Sequence, residues 1–194
     1  MVLKQNFQAY NVTLDSALQG FVMRWKDIDS QVCSVARALA VVGDNWSLLI
    51  LRDCFLGIRR FDRFQKSLGV TRHRLSERLA KLVDEGVLEK TPYQERPLRY
   101  EYRLTEMGKA LYPVILSLAT WGDEWLSDDD GSPLRYRHQG CGKISRLQLV
   151  CSDCGEPVTA RSISPLLGPG VQRKLKRGES LEGDIDQAPA LHKP

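Results

Sequence analysis

The stretch "TRHRLSERLAKLVDEG", residues 71–86, decides how the rest of the chain is read. Leu75, Leu79 and Leu82 recur at i, i+4 and i+7, the spacing of a single buried helical stripe. Thr71 can cap the start of that helix, Arg74 stands where a capping box would carry Glu or Gln, and Gly86 closes the end. With Leu75 turned inward, steps of about 100° per residue place His73, Glu77 and Lys81 on the outward face and Arg74 beside it. Arg72 and Arg78 flank the leucines. By itself the pattern is a helix with an apolar back and a basic end. A solvated charged face and a surface aimed at an anionic partner fit it equally.

The neighbours on both sides narrow the choice. Upstream, "RFDRFQKSLG" (residues 60–69) predicts a short helix with Phe61, Phe64 and Leu68 inward, ended by Gly69. Before it, "DNWSLLILRDCFLG" (44–57) predicts a helix capped by Asp44 or Asn45, filled by Trp46, Leu49, Ile50 and Phe55, and stopped by Gly57. "VCSVARALAVVG" (32–43) predicts another, with Val35, Leu39 and Val42 on one side and Gly43 at its end. Downstream the period changes to two: "VLEKTPYQ" and "RYEYRLT" read as strands around "ERPL". "TEMGKALYPVILSLATWGDEWL" (105–126) then predicts one long helix, capped by Thr105 and interrupted or kinked at Pro113. A helix-turn-helix followed by a hairpin is a winged helix.

The expected fold class is therefore mainly α with a small β-hairpin wing, plus a small Cys-rich ribbon-like C-terminal module. Residues 1–30 form an N-terminal extension with a short helix around residues 15–25; a dimerisation arm and a loosely ordered extension both fit, and Met23 is an alternative start. Residues 31–127 form the winged-helix domain, 135–160 the Cys/His module beyond the linker "SDDDGSP", and 161–194 a flexible tail rich in Gly, Pro and charge. No internal repeat is evident.

The chain of 194 residues carries a net charge of +4, with a pI near 8.8. That balance alone does not imply nucleic acid, but its distribution is uneven. Residues 52–103 carry 13 Lys/Arg against 8 Asp/Glu, whereas residues 104–130 carry 1 against 6. A localised basic segment beside an acidic one favours a defined anionic partner. No run approaches the roughly 20 apolar residues of a membrane span, and no signal-peptide pattern opens the chain. The expected compartment is the cytoplasm, where the five cysteines would be thiols or metal ligands rather than disulfides.

In a helix-turn-helix the second helix enters the major groove and its first residues reach base edges. Thr71, Arg72, His73 and Arg74 hold those positions, and Arg suits guanine O6/N7. The wing turn carries Arg96 and Arg99, stiffened by Pro97, within reach of phosphate or a minor groove.

Residues 32–122 resemble the HxlR-type (MarR-related) winged-helix transcriptional regulators. "GDNWSLLILR" is similar to their G-x-W-x-x-x-I-L segment and "RRFDRF" to their R-F-x-x-L/F helix. "VTRHRLSERLAKLVDEGVLEK" resembles their recognition helix, and the Y-x-x-x-P stretch with "EYRLTEMGKAL" resembles their wing and closing helix. The resemblance implies a homodimer on an imperfect inverted repeat of double-stranded promoter DNA; the expected control is a small-molecule or redox event that shifts the spacing of the two recognition helices. It carries Thr71, Arg72, His73, Arg74 and Lys81 onto recognition-helix positions and Arg96 and Arg99 onto the wing. Arg59 and Arg60 become phosphate contacts, and Arg78 either braces the fold or reaches a phosphate. Cys33 falls where many members have an N-terminal cysteine, which makes it a candidate redox sensor against the alternative of an inert thiol. Cys54 reads as core.

A second chemical signal lies at His138–Cys141 and Cys151–Cys154, H-x-x-C-G and C-x-x-C-G separated by nine residues. Three thiolates and an imidazole suit a closed structural Zn2+ site, with "KISRLQLV" as an intervening strand; a metal-free thiol cluster is the competing reading. A thioredoxin-like redox motif lacks its βαβ unit. No nucleophile–base constellation stands out, so the chain does not read as an enzyme. Met107, Tyr112, Trp121 and Trp125 read as core or dimer interface, with the two tryptophans placed to pack across a two-fold axis. The resulting expectation is a homodimeric, sequence-specific DNA-binding regulator. The rivals are a winged-helix adaptor that binds protein rather than DNA, a thiol-based sensor using Cys33, and a metal-dependent enzyme at the Cys/His cluster.

Overall fold

A computed structural model describes residue 28 and residues 31–179. The anticipated N-terminal arm, the helix around residues 15–25 and His192 lie outside the described residues. The order is α1 (Ser34–Val42), α2 (Ser47–Phe55), α3 (Phe61–Leu68), α4 (Arg72–Asp84), β1 (Leu88–Glu95), β2 (Leu98–Leu104), α5 (Glu106–Lys109), α6 (Tyr112–Trp125) and α7 (Pro169–Lys176).

The leucine stripe is the keystone of the core. Leu75, Leu79 and Leu82 are wholly buried on α4, where they meet Ile50 and Leu51 of α2 and Phe64 of α3. Each fully buried leucine contributes about 1.5–3 kcal/mol, enough to fix which face of α4 turns outward. Gly69 joins α3 to α4 at φ 63°, in the left-handed region that sets the angle between these two helices. Thr71 occupies the expected cap position in extended backbone, but its side chain accepts no capping hydrogen bond.

The strands β1 and β2 pair antiparallel from Leu88↔Leu104 to Glu95↔Leu98 around a two-residue turn, Arg96-Pro97, whose peptide bond is cis. A bulge between Pro92 and Gln94 leaves Tyr93 unpaired. The backbone before α3 adds to the outer edge of β2: Arg60 bridges Glu101, and Tyr102 N–H donates to the Arg59 carbonyl at 2.8 Å. The wing is thereby tied to the start of α3.

Several expectations need correction. On α1 the buried residues are Ala36 and Val42, while Val35 and Leu39 face outward. On α2, Ser47 and Asp53 are buried and Leu49 is exposed. The long closing helix is two helices: Thr105 Oγ1 caps α5 by accepting from Gly108 N–H, and the chain breaks at residues 110–111. Pro113 lies in the first turn of α6, where its missing N–H costs nothing, and so starts a helix rather than kinking one. No strand forms over residues 143–150; single bridges Arg137↔Ile144 and Val150↔Pro157 stand there instead. The tail, expected without structure, carries α7, although none of that helix is buried. No single described helix is long and apolar enough to cross a membrane.

Candidate nucleic-acid interface

The leucine anchor turns the N-terminus of α4 into open solvent. Thr71, Arg72, His73 and Arg74 are all exposed. His73 Nδ1 lies 3.4 Å from Glu77 Oε2, one turn on. Arg72 sits over the Phe61 ring at 4.8 Å and 4.0 Å from Asp62 Oδ1. Arg74 makes no side-chain interaction among the described residues. The unsatisfied N–H groups at the helix start add positive potential to this end.

Between α3, the start of α4 and the wing runs a cleft of about 530 Å3. Arg60, Arg63, Arg72, Lys90 and Arg99 line it together with Phe61, Tyr93 and Tyr100, and Asp62 is the one acid among its lining residues. Rings hold three of the cations: Arg60 lies 4.3 Å from the centre of Tyr93 and Lys90 4.2 Å from Tyr100, in addition to Arg72 on Phe61. The bulge at Tyr93 supplies the first of these surfaces. Arg99 opens into the cleft, whereas Arg96 stays at the exposed wing tip, its carbonyl accepting from Gln94 Nε2 at 2.9 Å. Arg59 faces an adjoining groove with Cys54, Glu89 and Arg103. Arg63 and Lys90 were not anticipated. Strand alternation puts Lys90 on the face of its partner Tyr102 and diagonal to Tyr100, but the register is needed to see it.

Two basic residues of α4 are committed to the fold instead. Lys81, expected on the DNA-facing side, is half-buried and donates from Nζ to the Ala40 carbonyl at 2.7 Å, tying α4 to α1. Arg78 Nε lies 3.6 Å from Asp44 Oδ1, so it braces rather than reads. Asp44 is the hub of that corner. It accepts from Trp46 N–H at 2.9 Å and Ser47 N–H at 3.0 Å, and from the Ser47 hydroxyl through Oδ2. Burial works to raise its pKa, but the Ser47 hydroxyl, the two N–H groups and the Arg78 guanidinium outweigh burial and hold it below the ordinary carboxylate value.

The cysteines separate into distinct environments. Cys33 is the residue before α1 and partly exposed, and Arg37, one turn on, donates to Ser34 Oγ at 3.4 Å. Burial, followed by the adjacent Asp53 carboxylate, pushes the Cys54 thiol up to about 12, which makes it an unreactive core group. His138 Nδ1 meets Cys141 Sγ at 3.4 Å. The expected four-ligand set does not converge: among the described residues no group of three or more His, Cys, Asp or Glu side chains could hold a metal ion.

One apolar surface remains uncovered. Val114, Leu118, Trp121 and Trp125 recur on one side of α6, all exposed, Trp125 at 68%. They are not core, although Tyr112 on the same helix reaches the Phe55 ring at 4.5 Å.

The HxlR-like helix-turn-helix family model matches residues 41–130. An uncharacterised HTH-type transcriptional regulator of Mycobacterium tuberculosis (H37Rv) is 47% identical over 142 residues, 73% of this chain and 90% of the relative. YdeP of Bacillus subtilis, of the same description, is 34% identical over 98 residues, 50% of this chain and 77% of the relative. Among solved structures, PA1607, a candidate transcription factor, matches at TM-score 0.62 and 40% identity, covering 70% of this chain and 94% of that one. PA1374 of Pseudomonas aeruginosa matches at TM-score 0.51 and 35% identity, covering 73% and 99%. Such identity across nine-tenths of a relative extends well past the turn and wing that many unrelated DNA-binding folds share, and so the chain belongs to the HxlR-like helix-turn-helix family, as a transcriptional regulator and not an enzyme.

Proposed function

We propose that the chain binds double-stranded promoter DNA as a homodimer, placing one α4 helix in the major groove of each half of an inverted repeat. The observation that carries this reading is the cleft in which Arg60, Lys90 and Arg72 rest on aromatic faces, with the exposed Arg74 at the same end of α4 as Arg72. Arg74, Arg72, His73 and Thr71 address base edges. Arg60, Arg63, Lys90, Arg99 and the tip residue Arg96 neutralise phosphates, with Arg59 at the margin. The exposed stripe of α6 supports the two-fold pairing, since apolar rows of this kind on a free monomer mark an interface.

Gel-shift titration of the chain's own promoter duplex across a salt series tests the reading. Binding should weaken steeply with salt, and each phosphate-contacting cation replaced by alanine should reduce the slope of log K against log salt by about one. A wild type that shifts no promoter fragment, or an Arg72→Ala, Arg74→Ala double variant that binds like wild type, would leave the adaptor reading standing. A thiol-based sensor at the free, partly exposed Cys33 is the alternative reading, tested by whether oxidant changes promoter binding by wild type but not by Cys33→Ser.

A further inference from the structure

We propose that residues 136–158 form a closed zinc site, with one Zn2+ held by His138, Cys141, Cys151 and Cys154. The inference rests on a repetition in the backbone that side chains alone do not reveal. In the first loop Ser145 N–H donates to Tyr136 O at 3.1 Å, His138 N–H to Lys143 O at 2.9 Å and Gly142 N–H to His138 O at 2.8 Å. In the second, Val158 N–H donates to Leu149 O at 2.8 Å, Cys151 N–H to Glu156 O at 2.9 Å and Gly155 N–H to Cys151 O at 2.9 Å. Each bond has its counterpart 13 residues along the chain.

Side-chain identity is not what repeats. Tyr136 corresponds to Leu149, Lys143 to Glu156 and Ser145 to Val158. Three positions agree in chemistry: a soft donor opens each loop (His138, Cys151), a cysteine follows three residues later (Cys141, Cys154), and a left-handed glycine closes it (Gly142 at φ 69°, Gly155 at φ 75°). The repeated geometry therefore preserves the donor pair and its turn while letting everything else vary.

Packing gives a second, independent reason. None of residues 131–168 is buried, yet the segment holds two hydrogen-bonded loops in matching form. A segment of this size without an apolar core needs a cross-link or a metal to stay ordered. A disulfide serves poorly, because three cysteines and one histidine leave an odd thiol and no use for His138. A tetrahedral ion uses all four. An ion seated on one pair has half its shell open, and the second pair, nine residues on, supplies the remainder. Among the described residues no three of these donors converge, so the proposal requires the two loops to close on the ion as it binds. On binding, three thiols give their protons to solvent and neutral His138 gives a ring nitrogen, leaving no open position for catalysis.

The test uses the full chain, purified from zinc-supplemented medium without a polyhistidine tag. Elemental analysis should find about one zinc per chain, and cobalt substitution should give the intense visible bands of tetrahedral thiolate coordination. Cys141→Ser and Cys154→Ser, one from each loop, should each weaken zinc at least tenfold in competition with a chromophoric chelator, whereas Cys33→Ser should not. Promoter binding by the two serine variants serves as the folding control, and its loss in wild type would bear on the DNA reading alone. Zinc-free protein from replete medium, an octahedral cobalt spectrum, a Cys151–Cys154 disulfide in the native chain, or zinc retained equally by all three variants overturns the proposal.

Discussion

Replacing Asp44 tests how the fold aims its recognition helix. The Asp44 carboxylate caps α2 through Trp46 and Ser47, accepts the Ser47 hydroxyl and faces Arg78 of α4 at 3.6 Å. In Asp44→Ala the loss of the cap costs about 1 kcal/mol. Ser47 is completely buried, and its hydroxyl, left without an acceptor, adds about 1–3 kcal/mol. The partly buried pair with Arg78 adds no more than about 1 kcal/mol. These contributions share one group and do not add fully, so about 2–4 kcal/mol is expected. Asp44→Asn keeps an oxygen for the two N–H groups and an amide for the Ser47 hydroxyl, and should cost about 1 kcal/mol, chiefly the lost charge. Urea unfolding at neutral pH measures both. The pH dependence follows from the sign of the shift. The folded-state pKa of Asp44 lies below the ordinary 3.8, so its stabilisation is complete above that value and disappears as pH falls through the folded pKa. The gap between wild type and Asp44→Asn should therefore close in acid, below about pH 4. An alanine variant within about 0.5 kcal/mol of wild type, within the range of an ordinary surface change, or an asparagine gap that widens in acid, would refute the account of Asp44 as a hub.

Lys81→Met should lose about 1 kcal/mol of stability with the bond to Ala40 and leave the salt slope of DNA binding unchanged, as urea unfolding and gel shifts would show. Arg74→Ala should do the reverse, with thermal stability retained and promoter affinity falling about tenfold or more. If α6 pairs two copies as proposed, wild type should sediment as a dimer and Trp121→Glu together with Trp125→Glu as a monomer, since the change places two charges on the uncovered face of α6. Cys54, with its thiol pushed up to about 12, should resist iodoacetamide at pH 8 in the native chain and react once unfolded, by mass spectrometry.

Much of the architecture was legible because it depends on local period. The Leu75–Leu79–Leu82 stripe, the two-residue alternation after Gly86 and the glycine stops all report themselves within a few residues. What escaped depends on contacts distant in sequence. Nothing near Lys81 announces that Ala40, forty-one positions away, offers a carbonyl at 2.7 Å. The burial of Ser47 and Asp53 is invisible to an apolar pattern, which reads the same helix as presenting Leu49 inward. The break between α5 and α6 is hidden in the sequence because a proline after a run of helix formers reads as an interruption, although it equally suits a first turn. At the site, the arginines were legible as charge. Their aromatic supports were not, because Tyr93 gains its position from a bulge and Arg60 from an edge bridge.

The manner in which cations are held separates recognition from structure within α4 itself. A guanidinium paired with a carboxylate spends its field on that partner; at about 4 Å such a pair is worth roughly 4 kcal/mol at an effective dielectric near 20 before desolvation, and little net charge remains for a third group. Arg78 beside Asp44 is in this state, and Lys81 gives its ammonium to a backbone carbonyl. A ring face attracts a cation by about 0.5–1 kcal/mol at exposed sites, which restricts the side chain without neutralising it. Arg60 and Lys90 are held in this second way, and Arg72 adds to its ring contact only the 4.0 Å approach of the exposed Asp62. The cleft is therefore pre-shaped yet keeps a net positive charge, while Arg78 and Lys81 hold the angle of α4. If phosphate binding were incidental, acids would serve as well as rings to order these side chains, and the cleft would carry more than the one carboxylate, Asp62, that it does. Replacing Tyr93 with glutamate makes that substitution directly. Arg60 would remain ordered in either case, so a promoter affinity that survived the change would show that order alone is sufficient, and that the uncompensated charge is not what the cleft is built to preserve.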